Sequence, residues 1–118
     1  MSVINPATNT VITTVAVGTN PDGVAVSSSL NTLYVANSGG NSVSTIDTTT
    51  NMGNGFVLFA GDPVPNAVAV SPDGSTIYIA NLLVNGLGQN STVTVINEVT
   101  HAFSTINVGV QPDGVVVA

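Results

Sequence analysis

The sequence contains no lysine and no arginine among its 118 residues, against six aspartate and glutamate residues and one histidine. Proteins that bind DNA or RNA neutralise phosphates with basic side chains and release counterions. Anionic lipid surfaces attract basic segments for the same reason. A formal net charge of −6 therefore argues against nucleic acid and anionic membrane surfaces as partners.

Cysteine is absent too, which rules out disulfides and thiolate metal sites. No apolar run is long enough to cross a bilayer, so no membrane insertion is expected. Met1-Ser2-Val3 enters a predicted strand directly, without the basic and apolar regions of a signal peptide. Thr, Asn and Ser dominate the polar residues, and this composition favours an extracellular or cell-surface protein.

The stretch from Pro65 to Asn81 recurs along the chain and predicts a β-hairpin. Two short apolar runs flank the turn residues Pro72-Asp73-Gly74. The same pattern begins 44 residues earlier at Pro21 and again at Pro112. The first strand of the hairpin is predicted at Val24–Ser27 and Val68–Ser71, and the second at Leu33–Asn37 and Ile77–Asn81.

Each hairpin is accompanied by a third strand, a turn rich in Thr and Asn, and a fourth apolar run that ends on Gly. Four strands per period of about 44 residues match one blade of a β-propeller. Apolar residues occupy both faces of the predicted strands, since Ile77 and Ile79 point one way and Tyr78 and Ala80 the other. Both faces are therefore expected to be buried, as in stacked blades. The predicted fold is all-β, with four-stranded antiparallel blades.

The strands predict about 2.7 blades, and so a partial propeller. The predicted units are a half blade at 2–18, full blades at 21–61 and 65–109, and the first strand of a further blade at 112–118. Propellers close with roughly four or more blades. We therefore expect this segment to belong to a longer propeller or to associate head-to-tail with further copies of itself.

Two motifs resemble the YVTN family of β-propeller repeats: Tyr34-Val35-Ala36-Asn37 and Tyr78-Ile79-Ala80-Asn81, the second preceded by Ser71-Pro72-Asp73-Gly74. The resemblance covers nearly the whole chain. It implies a propeller fold and, commonly, a surface-layer or cell-surface protein of archaea or bacteria. Related propellers include lactonase-like and quinoprotein-like enzymes. The resemblance carries no catalytic residue, because the signature consists of packing and turn positions.

The connection from Leu82 to Asn90 is longer than its counterpart at 38–41 in the preceding repeat. It is either a contact loop or an extension of the hairpin whose leucines pack on their own blade. The candidate contact residues are Leu82, Leu83, Val84, Asn85 and Leu87. Asn90 begins an Asn-Ser-Thr sequon, which is a candidate glycosylation site in a secreted protein.

No residue is predicted to be catalytic, to hold a cofactor or to bind a metal. His101 is the only histidine and lies in a turn, without a second His or Cys to share a metal. The turn Asp47-Thr48-Thr49-Thr50-Asn51 is rich in oxygen atoms, but it lacks the alternating acids and the final Glu of a calcium loop. The acids of the Pro-Asp-Gly turns are expected to cap backbone N–H groups.

The leading hypothesis is a non-enzymatic structural or adhesive propeller segment that assembles with itself or contacts protein or glycan. The alternative is a partial propeller domain of a lactonase-like or quinoprotein-like enzyme. Its active site would then lie at the ring axis, on residues outside this sequence. Axial sites of that kind use His, Arg or converging acids, so the lack of Arg and the single peripheral His favour the first hypothesis.

Overall fold

The computed structural model describes residues 1–58, 63–83 and 91–118. These residues form β-strands and no helix, which confirms the predicted all-β class. The strands are β1 (Ser2–Asn5), β2 (Thr10–Thr14), β3 (Pro21–Ser27), β4 (Thr32–Asn37), β5 (Ser42–Asp47), β6 (Met52–Leu58), β7 (Pro63–Val70), β8 (Thr76–Leu83), β9 (Thr92–Asn97) and β10 (Phe103–Asn107). In the same residues, no helix of a length and hydrophobicity that could span a membrane occurs.

The strands form three antiparallel sheets, in which strands that follow one another along the chain pair. The first sheet is β1–β2, the middle sheet runs from β3 to β6, and the third sheet runs from β7 to β10. Ala25 pairs with Tyr34 in the middle sheet, and Ala69 pairs with Tyr78 in the third. Equivalent residues of the two repeats therefore pair in the same register in the two sheets.

Both hairpins begin earlier than the sequence indicates, because a β-bulge near the start of the first strand accommodates a proline. The register shifts between Pro21 and Gly23 in β3, and between Pro65 and Ala67 in β7. Proline lacks the N–H group that a regular ladder requires, and bulges are among the places where strands tolerate it. The first strands consequently start at Pro21 and Pro63 rather than at Val24 and Val68.

The hairpin turns place an asparagine in the left-handed region of backbone conformation. Asn9, Asn31 and Asn51 have φ angles of 53°, 49° and 56°. Asparagine tolerates this region better than most residues because its short polar side chain bonds locally. The repeated Asn of the sequence thus occupies the turns that set the register of the first and middle sheets.

The sheets stack face to face, and we name their faces by the middle sheet. Its forward face carries Tyr34 and its rear face carries Val35. The forward face packs on the third sheet through a cluster of buried residues: Tyr34, Val43, Val68, Ile77, Ile79 and Ile96. The rear face packs on the first sheet through Val15, Val35 and Ile46. Strands β4 and β5 of the middle sheet are therefore covered on both faces, as the non-alternating apolar pattern predicts.

The inner strands β3 and β7 approach one another closely. A Cβ atom added to Gly23 would lie 2.8 Å from both the Cα of Ala67 and the carbonyl oxygen of Asn66. Beyond β7, the Nδ2 of Asn66 donates a hydrogen bond of 2.9 Å to the carbonyl oxygen of Pro112. The segments that begin at Pro21, Pro65 and Pro112 therefore lie next to one another in chain order.

Residues 112–118 were predicted to form the first strand of a further blade, but they form no strand. A strand is defined by its ladder, and these residues pair with no other strand in the part of the chain that the structure describes. The rear face of the middle sheet is likewise left uncovered in part. Val24 and Val26 are exposed on its rear face, because the two strands of the first sheet cover only the outer part of that face.

Candidate functional site

The predicted contact loop lies partly within a strand. Leu82 and Leu83 belong to β8 and pair with Val64 and Pro63 of β7. The hairpin thus extends beyond Asn81, as one of the two alternatives for this stretch supposed. Val84, Asn85, Leu87 and Asn90 lie outside the described residues. A contact role for the loop and glycosylation of Asn90 stay predictions.

His101 occupies a turn position that asparagine holds in the other repeats. It is exposed and has a φ angle of 56°, as Asn51 has in the turn of the middle sheet. In residues 1–58, 63–83 and 91–118, no three His, Asp or Glu side chains are grouped closely enough to hold a metal ion. The imidazole of His101 therefore has no such group of described side chains with which to share a metal.

The oxygen-rich turn at 47–51 uses its carboxylate to bind its own backbone. Asp47 Oδ1 accepts hydrogen bonds from the backbone N–H groups of Thr49 and Thr50, at 2.7 and 3.0 Å. The bonds from Thr50 and then Thr49 lower the pKa of Asp47 below its ordinary value. Asn97 caps the corresponding turn of the third sheet in the same way. The repeated Asp or Asn is thus a turn cap.

Asp73 organises the turn between β7 and β8. Its Oδ1 accepts bonds from the hydroxyls of Ser71 and Ser75, at 2.6 and 2.8 Å, and from the Ser75 N–H at 3.0 Å. Its carbonyl oxygen accepts a bond of 3.0 Å from the Ser29 hydroxyl of the middle sheet. These turns of neighbouring sheets therefore touch.

The turn at Asp73 predicts a loss of stability in acid. The Ser71 hydroxyl, followed by the groups of Ser75, lowers the pKa of Asp73 from 3.8 to about 2. Because the pKa is lower in the folded state, the stabilisation is present above pH 3.8 and is lost as the pH falls towards 2. Chemical denaturation at a series of pH values should show stability falling over this window, and less steeply in Asp73→Asn. Asp22→Asn removes an exposed charge elsewhere and is the control; an equal effect of the two variants would contradict the prediction.

Two buried asparagines tie strands together at the same position of the two full sheets. Asn37 Nδ2 donates to the hydroxyls of Ser42 and Ser44, at 3.1 and 2.8 Å. Asn81 Nδ2 donates to the hydroxyls of Thr92 and Thr94, at 3.3 and 2.8 Å. Asn37 and Asn81 are fully buried. They link the end of the second strand of each sheet to the start of the third.

The hydrogen bonds around Asn37 extend to the segment between β2 and β3, and the side-chain oxygen of each asparagine has no partner. The Ser44 hydroxyl accepts a bond of 3.2 Å from the N–H of Gly18, whose backbone lies against the Asn37 side chain. The Oδ1 atoms of Asn37 and Asn81 have no hydrogen-bond partner. The sequence places both asparagines at the ends of the YVTN-like motifs, but the motif by itself assigns them no hydrogen-bonding role. The signal was available, because each Asn ends an apolar run and precedes a Ser-x-Ser or Thr-x-Thr segment.

Tyr34 joins the middle sheet to the turn after β9. Its side chain is buried at the contact between the two sheets. Burial, and then the negative charge of Glu98 in that turn, raise the pKa of Tyr34 to about 12. The backbone N–H of Glu98 is fixed by a bond of 2.8 Å to the carbonyl oxygen of Ser75. The tyrosine of the repeat motif is thus a contact residue between sheets.

This contact predicts a loss of stability in strong alkali. The pKa of Tyr34 is 10.0 ordinarily and about 12 in the folded protein. A raised pKa means that the stabilisation is complete below pH 10.0 and is lost as the pH rises through about 12. Tyrosinate absorbance should show a titration near pH 12 that Tyr34→Phe removes. Tyr78→Phe is the control, and a late titration that survives in Tyr34→Phe would contradict the assignment.

The counterpart of Tyr34 in the third sheet lies on a face that no other described sheet covers. Tyr78, the counterpart of Tyr34, is half-buried and lines a groove of about 330 Å³ with Thr76, Val95 and Asn97. The groove lies on the forward face of the third sheet, beside which no further sheet lies in the described part of the chain. This surface of the third sheet is therefore an uncovered sheet face rather than a polar cleft.

Comparison with known proteins identifies the fold. No family model matches the chain, and no curated protein is significantly similar to it in sequence. Solved structures of AztD from Citrobacter koseri superpose on 86% of this chain with a TM-score of 0.66 and 21% identity for the apo form, and on 96% with a TM-score of 0.67 and 19% identity in a second structure. A protein of unknown function from Desulfotomaculum acetoxidans DSM 771 matches 76% of the chain, with a TM-score of 0.53 and 26% identity.

These neighbours confirm the predicted fold class. AztD is β-propeller-like, and the stacked sheets of this chain correspond to propeller blades. The matches cover 27% of the apo AztD chain, 31% of the second AztD chain and 27% of the Desulfotomaculum protein. The chain thus spans about a third of the length of these proteins or less.

Proposed function

We propose that this chain is a non-enzymatic structural or adhesive segment of a β-propeller of the YVTN type, from an extracellular or cell-surface protein. The observation that carries the proposal is the use of the same polar position in both full sheets. Asn37 and Asn81 are buried and bind hydroxyls of the neighbouring strand. Polar side chains placed in this way hold the second and third strands of each blade together.

The acids support the same function. Asp47 binds the backbone of its own turn, and Asp73 binds two serines and a backbone N–H of its own turn. A catalytic carboxylate is positioned to transfer a proton to or from a substrate. A carboxylate whose oxygen is occupied by turn donors instead stabilises the loop. The chemistry of these acids is thus that of a scaffold.

The surface composition supports an extracellular location. The chain carries a net charge of −6 and no Lys or Arg, and its turns are built from Thr, Asn and Ser. A protein of this charge stays soluble by mutual repulsion and does not bind nucleic acid or anionic lipid. A role in contact with other proteins, with glycans or with further copies of the chain fits this surface.

Two measurements test the proposal: the location of the protein in its cells and the enzymatic activity of the purified chain. An epitope-tagged form of the whole protein, produced in its own cells, should be removed by protease added to intact cells, while a cytoplasmic marker should survive. Purified chain should hydrolyse no lactone and reduce no dye in the presence of a quinone cofactor. Protection from external protease would contradict the location. Turnover that copurifies with the chain would contradict the structural role and support the enzymatic alternative.

A further inference from the structure

One residue of the outer strand β6 has no partner in its sheet. Thr45 of β5 pairs with Gly55, whereas Ile46 pairs with Gly53. The register therefore shifts, and Asn54 is the extra residue of a β-bulge, which is left outside the ladder. Strand β6 is the last strand of the middle sheet. The bulge thus lies on the outer edge of a sheet that packs on another sheet at each face.

The side chain of Asn54 is not held by its surroundings. It is exposed and forms no hydrogen bond with another described residue. Other asparagines of the repeats are fixed, because Asn5 and Asn97 accept bonds from N–H groups of their turns. Asn37 and Asn81 are fully buried. Asn54 therefore combines an exposed amide with a backbone that no ladder partner fixes.

A glycine follows Asn54, and the shape of the bulge favours it. Gly55 has a φ angle of 148°, which residues with a side chain rarely adopt. Of the described atoms, a Cβ added to Gly55 would have only the Thr45 hydroxyl oxygen nearby, at 3.9 Å. Among the described residues, Asn54 is the only asparagine that precedes a glycine. The side chain of Asn54 and the backbone of Gly55 are thus accessible to each other and to water.

We propose that Asn54 is a site of spontaneous deamidation in the folded protein. The backbone nitrogen of Gly55 attacks Asn54 Cγ, the Cγ–Nδ2 bond breaks, and the amide leaves as ammonia with the proton from the Gly55 nitrogen. The resulting five-membered succinimide then takes up water. Cleavage of its bond from nitrogen to Cγ gives aspartate, and cleavage of its bond to the main-chain carbonyl carbon gives isoaspartate. Ring closure is easiest before glycine, because no side chain crowds the attacking nitrogen.

The reaction adds one negative charge to an edge strand that has none. Strand β6, from Met52 to Leu58, contains no charged residue. Charged side chains and bulges both oppose the pairing of an edge strand with another chain, so the product reinforces the protection that the bulge already gives. Since residue 54 has no ladder partner, aspartate or isoaspartate at this position breaks no pair. The modified protein therefore keeps its fold.

A peptide map based on the aspartates tests the inference. A protease that cleaves before aspartate releases residues 47–61 as one peptide and places the Asn-Gly pair at 85–86 in another. After the folded chain has been incubated in mildly alkaline buffer, aspartate at position 54 should split this peptide into 47–53 and 54–61. Isoaspartate resists the protease and is detected with an isoaspartyl methyltransferase. Incubation in heavy-oxygen water should label either product with one oxygen from solvent.

Two variants on the same bulge serve as controls. Asn54→Gln keeps the amide but would have to close a larger ring, so both products at position 54 should be lost. Gly53→Ala changes the glycine on the other side of Asn54, where nothing lies within 4 Å of an added Cβ, and it should react like the wild type. The wild-type chain unfolded in urea gives the rate without the strand. The folded chain should react at a similar rate, with circular dichroism confirming that it stays folded.

Three outcomes would overturn the inference. A folded chain that stays unmodified at Asn54 while the unfolded chain reacts would show that the bulge holds this residue in place. An equal yield at Asn107, which is exposed in the regular strand β10, would show that the bulge and the glycine are not the cause. Products that persist in Asn54→Gln would place the reaction elsewhere in residues 47–61. None of these outcomes bears on protease accessibility in cells or on enzymatic activity, so the proposed function is tested separately.

Discussion

An alanine in place of Ile79 lowers the free energy of unfolding by about 2–5 kcal/mol. Ile79 has no exposed surface and lies in the cluster between the middle and third sheets. Truncation removes buried apolar area and leaves a cavity that the flanking strands fill only in part. A domain of this size is stable by only about 5–15 kcal/mol. The substitution should therefore shift the urea midpoint strongly, as followed by circular dichroism in dilute solution.

The matched control for Ile79 is the same substitution at an exposed isoleucine of the same sheet. Ile106 is 52% exposed, so Ile106→Ala should change stability by about 0.5 kcal/mol or less in the monomer. Equal losses from the two variants would mean that the cluster between the sheets is not the core of the molecule.

Valine in place of Gly23 destabilises the protein by about 1–3 kcal/mol through overpacking. The added Cβ would lie 2.8 Å from the Ala67 Cα and from the Asn66 carbonyl oxygen. Both are backbone atoms, which cannot rotate away as a flexible side chain can. The inner strands β3 and β7 must then move apart. Thermal unfolding and urea denaturation measure the loss.

The repeat supplies the control for Gly23. Gly114 stands at the same place in its Pro-Asp-Gly segment, and nothing lies within 4 Å of a Cβ added there. Gly114→Val should therefore leave the stability nearly unchanged. If Gly23→Val is tolerated equally well, the close approach of β3 and β7 is not a constraint on the fold.

The sequence predicts the blades well because their design is local. The turns of Asn and Gly, the apolar runs and the 44-residue period together specify hairpins whose strands follow one another along the chain. The prediction that both faces are buried holds for the middle sheet, since Tyr34 and Val35 lie on opposite faces and both are buried, whereas the Tyr78 face of the third sheet is not covered by another described sheet. Successive side chains of a strand point to opposite faces. A run of consecutive apolar residues therefore predicts that both faces are buried.

The contacts between sheets could not be predicted in the same way. The meeting of Tyr34 with Glu98, and of Ser29 with Asp73, depends on how far one sheet is rotated against the next. Nothing in the spacing of residues reports that rotation. The sequence leaves the strand extension to Leu83 as one of two alternatives for a related reason, because Leu82 and Leu83 have no counterpart in the shorter repeat.

The pairing of each strand with its neighbours along the chain also bears on how the molecule folds. Apart from the pairing of β8 with β9, every ladder in the described residues joins strands separated by only a few residues, so little loop entropy opposes these contacts, and formation should be fast for an all-β protein. In stacked arrays, stability passes between nearest neighbours. The middle sheet has two such neighbours and each outer sheet has one. Amide hydrogens of Val35 and Ile46 should therefore exchange with solvent more slowly than those of Ile4 and Ile106, and protection should fade from the centre of the chain towards both ends.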